Sequence, residues 1–188
     1  ILIIGATSGI GNSLYSHYIS CGNHVAIMGR RKNILDEICA ANPAYTLAFP
    51  VDISNINSFN NAFEEVVKSF QNIDLAILCA GIGELNEPLD IKQELATLST
   101  NVIGWTNAVD TLYNHFEKNG KGHLVTITSV GGLQPTPIAP SYSASKAFQI
   151  NYTKSLQAKA RKTAITITEI RPGLVDTRMA KGNGLFWV

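Results

Sequence analysis

The stretch ILIIGATSGIG, residues 1–11, sets four apolar residues directly against a cluster of three glycines. A short run of Ile and Leu bounded by glycine reads as a strand buried on both faces. Gly5 permits a tight turn out of that strand. Gly9 lets backbone N–H groups approach a ligand with no side chain in the way, and Gly11 allows a following helix to pack closely on the sheet. Residues 9–21 carry the helix pattern. A helix beginning there offers unpaired N–H groups and partial positive charge, which suit a pyrophosphate, and Thr7 and Ser8 add hydroxyl donors.

Working outward, the same alternation continues. Apolar runs rich in Ile, Val, Leu and Thr lie at 24–28, 46–49, 73–78, 123–128 and 164–170. Helix-periodic segments lie near 30–41, 56–71, 90–118 and 142–162. Strand–helix alternation predicts βαβ units with right-handed crossovers. The expected class is therefore α/β: a single domain built on a Rossmann-like, doubly wound parallel sheet with helices on both faces. The chain's 188 residues suffice for one domain with a sizeable core. In the 90–118 segment, Leu95, Leu98, Val102, Trp105, Val109, Leu112 and Phe116 recur at steps of three and four, which predicts one continuous apolar stripe packed on the sheet.

Composition excludes several functions. The chain is 45% hydrophobic with a formal net charge of +1, and no basic run exceeds Arg30-Arg31-Lys32. Neither a nucleic-acid surface nor a polybasic membrane patch is implied. Three cysteines without metal-ligand spacing, and four unclustered histidines, suggest free thiols in a reducing cytoplasm and no metal site. No apolar run approaches the roughly 18 residues of a membrane helix, and ILII lacks the basic leader of a signal peptide. The chain starts on Ile1 and stops on the apolar GLFWV, so it is expected to lack material at its C-terminus.

The second strand ends AIMGRR, residues 26–31. A site for NAD expects a carboxylate here to grip the ribose 2′-hydroxyl. Gly29 stands at that place, followed by Arg30 and Arg31. Guanidinium groups bind a 2′-phosphate that a carboxylate would repel, so NADP (as NADPH) is expected in preference to NAD.

These motifs together resemble a classical short-chain dehydrogenase/reductase along essentially the whole chain. The resemblance rests on GATSGIG (5–11), VDIS (51–54), CAGIG (79–83), NVIG (101–104), ITSVGG (127–132), YSASK (142–146) and RPGLVDT (171–177), in order and in register. It implies cofactor contacts at Gly5, Thr7, Ser8, Gly9, Ile10, Gly11, Arg30, Arg31, Asp52, Ile53, Ala80, Gly81, Tyr142, Lys146, Pro172, Gly173, Val175 and Thr177. It implies a catalytic set of Asn101, Ser129, Tyr142 and Lys146, with Asn101 holding a water that links Lys146 to solvent. It also implies a homodimer or homotetramer built partly on the 90–118 and 142–162 helices, and a chain that continues well beyond residue 188. Two positions depart from the family: Ile4 stands where Thr is usual and Cys79 where Asn is usual. The family residues brace the backbone around the cofactor.

The chemistry follows from the residue types. Carbonyl reduction needs hydride at carbon and a proton at oxygen, and the cofactor supplies the hydride. A free Tyr, with pKa about 10, is a poor base, and a nearby positive charge favours its phenolate. Lys146 lies one helical turn beyond Tyr142 on the same face. Ser129 follows the fifth strand, where open α/β sheets place ligands, so its hydroxyl can hold the substrate oxygen. The apolar, proline-rich GLQPTPIAP (132–140) suggests a hydrophobic wall beside the site. The expected function is an NADP-dependent oxidoreductase acting on a carbonyl/alcohol pair. The alternative is a dinucleotide-binding sensor or scaffold of the same fold. A sugar-nucleotide epimerase on the extended plan fits the GATSGIG spacing less well.

Overall fold

The computed structural model describes residues 1–176. Its six strands are β1 (Leu2–Ile4), β2 (Val25–Gly29), β3 (Thr46–Pro50), β4 (Leu75–Leu78), β5 (Lys121–Ile127) and β6 (Ala164–Ile170). They form one fully parallel sheet in the order β3-β2-β1-β4-β5-β6. The chain runs outward from β1 through β2 to β3, then returns to lay β4 on the other side of β1. That reversal opens a crevice at the carboxyl ends of β1 and β4, where ligands of doubly wound sheets bind.

Alternation along the strands splits the core into two layers. Leu2 and Ile4 of β1 and Ala26 and Met28 of β2 face one layer with Phe59, Trp105, Leu112 and Phe116. Ile3, Val25 and Ile27 face the other, against Tyr15 and Leu35. The helices supplying these contacts are α1 (Gly9–Ser20), α2 (Lys32–Ala41), α3 (Ile56–Phe70), α4 (Ile91–Leu98), α5 (Trp105–Asn119) and α6 (Pro140–Ala160). α6 begins with proline at its first position, where the missing N–H costs nothing.

The long helix expected over 90–118 is interrupted. Between α4 and α5, Ser99–Gly104 forms a π-helical turn in which the Trp105 N–H reaches back five residues to the Thr100 carbonyl. The extra residue breaks the stripe in two. Trp105, Val109, Leu112 and Phe116 are fully buried, whereas Leu95 is 57% and Leu98 36% exposed. Gly104 makes the close approach possible, because a Cβ there would strike the Ile53 carbonyl.

Candidate active site

The glycine loop lies at the crevice. Gly5 (φ 94°) and Gly9 (φ 54°) occupy left-handed backbone that disfavours any side chain. Gly5 packs on the end of β4, where its missing Cβ would sit 2.6 Å from the Ala80 nitrogen. Gly11 packs on the Gly5 carbonyl and leaves no room for a Cβ. α1 then starts at Gly9, and the Ser8 side chain does not cap it. Its first N–H groups and the partial positive charge of its N-terminus face the loop, while the half-buried Ile10 packs into the second core layer.

Beyond the loop the two arginines differ. Arg31 reaches across it, donating from Nε (3.1 Å) and Nη2 (2.7 Å) to Thr7 Oγ1 and from Nη2 to Ser8 Oγ at 2.6 Å. Arg30 is exposed, with Nη1 4.0 Å from the Asp52 carboxylate. The other Asp52 oxygen accepts the backbone N–H (2.9 Å) and hydroxyl (2.7 Å) of Ser54. Gly29 ends β2, and a Cβ on it would lie 2.9 Å from the Thr7 methyl, so even a small side chain meets the loop. Ile53 is buried beneath the π turn.

The four candidate catalytic residues come together at the carboxyl ends of β4 and β5. A methyl built on Gly131 would lie 3.3 Å from both Ser129 Oγ and the Tyr142 ring. A Cβ on Gly83 would overlap the Tyr142 ring, and one on Gly81 would sit 3.4 Å from Asn101 Oδ1 and 3.5 Å from Lys146 Nζ. Glycines therefore clear the space around each member. Ser129 lies just past β5 and accepts the Gly131 N–H at 3.0 Å, which leaves its O–H free to donate. The Lys146 ammonium lies 5.9 Å from the centre of the Tyr142 ring. Burial pushes the Lys146 pKa down to about 8. Cys79 is itself pushed up to about 12 by burial, so its thiol is neutral and the ammonium is the nearby charge.

Asn101 sits fully buried in the π turn. Its amide clamps the loop after β4 from both sides, accepting the Ile82 N–H at 2.9 Å and donating to the Ile82 carbonyl at 2.6 Å. It also donates to Ser145 Oγ at 3.1 Å. Both amide hydrogens are thus committed, and the link from Asn101 to Lys146 runs through another residue. Gln149 accepts from Lys146 Nζ at 2.9 Å and donates to the Asn101 carbonyl at 2.8 Å. Sequence reasoning missed Gln149. The available signal was a polar residue three positions past Lys146 on a helix face that also carries Tyr142 and Thr153.

The substitution at Ile4 fills the first core layer, and the Ile4 carbonyl accepts the Cys79 N–H at 2.8 Å. Main-chain pairing therefore holds the two departures together. Pro172 is tied to the site by the Val130 N–H, which donates to its carbonyl at 3.0 Å. Gly173 borders open space and Val175 is exposed, while Thr177 lies outside the described residues. The 132–140 loop lines a 560 Å³ groove with Ser143, Ala144 and Ala147 of α6. None of the four candidate catalytic residues lines that groove. Among the described residues there is no metal-ligating cluster, and no helix is long and apolar enough to cross a membrane.

The profile of the short chain dehydrogenase family matches residues 1–185. An uncharacterized oxidoreductase of Mycobacterium tuberculosis is 30% identical over 187 residues, covering 95% of this chain and 74% of that protein. A fatty acyl-CoA reductase of Acinetobacter baylyi is 30% identical over 185 residues, covering 95% of this chain but 63% of that protein. A 3-ketoacyl-(acyl-carrier-protein) reductase from Brucella melitensis, solved in complex with NADH, superposes with a TM-score of 0.90 at 25% identity, covering 97% of this chain and 78% of that one.

Proposed function

The chain belongs to the short-chain dehydrogenase family, and on that premise we propose that it is an NADP-dependent oxidoreductase acting on a carbonyl/alcohol pair, with Tyr142 giving or taking the proton. The observation that carries this reading is the meeting of Ser129 and Tyr142 at one point in front of the buried Lys146 ammonium. The glycine loop, the uncapped start of α1 and the crevice between β1 and β4 fit a dinucleotide. When bound, the nicotinamide supplies or accepts hydride.

The remaining work falls to the chain. The Ser129 hydroxyl holds the substrate oxygen, and the Tyr142 O–H donates to that oxygen during reduction. Lys146 keeps positive charge beside the phenol and the reacting oxygen. Asn101 holds the loop after β4 and, with it, Ala80 and Gly81. The preference for NADP rests on Arg30 and Arg31 at the end of β2 and on Gly29 in place of a carboxylate. Arg31, already drawn to the Thr7 and Ser8 hydroxyls, supports a phosphate-binding corner. Asp52, Ile53, Pro172, Gly173 and Val175 complete the proposed cofactor contacts. The substrate is a small molecule of carbonyl or alcohol type, a class that includes the acyl substrates named for two of the relatives. The whole of residues 1–188 is read as one nucleotide-binding domain. The three free cysteines support a reducing, cytoplasmic setting, and the exposed apolar face of α4 supports assembly with further copies.

The test follows loss of reduced-nicotinamide absorbance with a panel of aldehydes, ketones and quinones. Turnover is expected with NADPH well above NADH. Tyr142→Phe is expected to cut it by about 10²- to 10⁴-fold with NADPH binding unchanged. Undiminished turnover in that variant would sink the assignment of the proton donor. Tight NADPH binding with no turnover of any carbonyl would favour the dinucleotide sensor instead.

A further inference from the structure

We infer that Gln149 is a positioning residue of this site: its side-chain amide is a direct bridge that holds the Lys146 ammonium to the main-chain carbonyl of Asn101. The inference rests on the oxidoreductase reading only for what that ammonium is used for. Gln149 is fully buried and not in the outer wall of α6. Its orientation is dictated by its partners. An ammonium can only donate, so Oε1 faces Lys146 Nζ; a carbonyl can only accept, so Nε2 faces Asn101.

The π turn creates the acceptor. In an uninterrupted α-helix the Trp105 N–H would bond to the Asn101 carbonyl, four residues back. Here it is shared between the Thr100 and Val102 carbonyls, and the Asn101 carbonyl receives Gln149 instead. One residue thereby couples three parts of the site: the π turn, the end of β5 and α6. Lys146 Nζ makes a second bond to the Ile127 carbonyl at 3.3 Å, which leaves one N–H of its three for the reaction. Two fixed bonds on a short path aim that third donor.

The amide also decides what the bridge can carry. A carboxamide neither gives up nor takes a proton at neutral pH, so the link between Lys146 and Asn101 transmits geometry and stabilises charge without conducting protons. The titratable groups facing Lys146 are Tyr142 from one turn earlier on α6 and the neutral thiol of Cys79 at the end of β4. Among the described residues, the π turn and β5 present the neutral Asn101 and the Ile127 carbonyl to it. Gln149 is therefore the side-chain acceptor that supports the buried charge.

The experiment follows the Lys146 side chain by NMR across a pH titration of the cofactor-free protein. It compares the wild type with Gln149→Leu and Gln149→Glu, using Lys146→Met to assign the signal. Losing the acceptor in Gln149→Leu is expected to lower the Lys146 midpoint by about one to two pH units. A carboxylate at the same place in Gln149→Glu is expected to raise it by at least about one unit. Unmoved midpoints in both folded variants would overturn the inference, whatever the outcome of the Tyr142→Phe assay. Should both variants fail to fold, the wild type decides. The Gln149 side-chain amide is expected to exchange slowly with solvent and to shift with the same midpoint as Lys146. Fast exchange, or indifference to that midpoint, would overturn the bridge.

Discussion

Lys146 is the residue on which the site's electrostatics turn. Lys146 is 95% shielded from solvent on α6, and among the described residues it pairs with neutral acceptors and no carboxylate. Burial lowers its pKa from the ordinary 10.5 to about 8. A lysine that gives up its proton more readily in the folded state destabilises the fold while it is charged. Below about pH 8 both states hold the proton, and the folded chain bears the cost. Between about 8 and 10.5 the unfolded chain holds a proton that the folded chain has released, so this group's contribution to stability rises with pH. Wild-type protein is therefore expected to gain about 3 kcal/mol relative to Lys146→Met across that window, read from urea midpoints at each pH. A constant difference would mean that Lys146 keeps its ordinary affinity for the proton. Burial likewise favours the neutral form of Cys79, raising its pKa to about 12, so the departure from the family at that position adds no charge to the site.

At the scale of elements, the π turn between α4 and α5 does what an even helix could not. It places the buried Asn101 amide on the Ile82 backbone, releases the Asn101 carbonyl to Gln149, and lets Gly104 press on the loop after β3. Gly104 has ordinary helical φ and ψ, so its glycine is required by contact and not by conformation. Gly104→Ala gains helix propensity but meets the Ile53 carbonyl. The net expectation is a loss of about 1–3 kcal/mol, seen as a lower urea midpoint with an unchanged slope. An equal or higher midpoint would show that the loop gives way freely. At the N-terminus of α2, Arg31 closes over the Thr7 and Ser8 hydroxyls and ties the second βα unit to the first.

In the whole molecule, the reversal of strand order between β1 and β4 sets the glycine loop beside the residues that follow β4 and β5. The proposed nucleotide contacts and the candidate catalytic groups thus share the carboxyl end of the sheet. The other consequence is a surface. Ile91, Leu95 and Leu98 lie on one face of α4 at helical spacing and are 63%, 57% and 36% exposed. A second copy covering this face is the assembly proposed above. Leu95→Glu combined with Ile91→Glu is expected to shift the mass found by light scattering toward the monomer while leaving the circular dichroism spectrum intact. An unchanged mass would move the interface elsewhere.

The sequence by itself determined the class of fold and the six strands, and it named the glycine loop and the four candidate catalytic residues as expectations. The fold and its strands rest on local signals, namely strand runs buried on both faces and glycines where the backbone turns or packs closely; the catalytic set came from the family resemblance carried by the motifs in register. Only the tertiary structure decided that the 90–118 stripe is cut in two, because a π turn looks like any helix to a pattern of period 3.6. It alone gave Gln149 its part, because that part depends on a carbonyl from another helix reaching it across 48 residues of chain. It also separated Arg30 from Arg31, which are equal as letters but face Asp52 and the glycine loop respectively. Hydrogen bonds between distant segments are set by packing, and packing leaves no period in the chain.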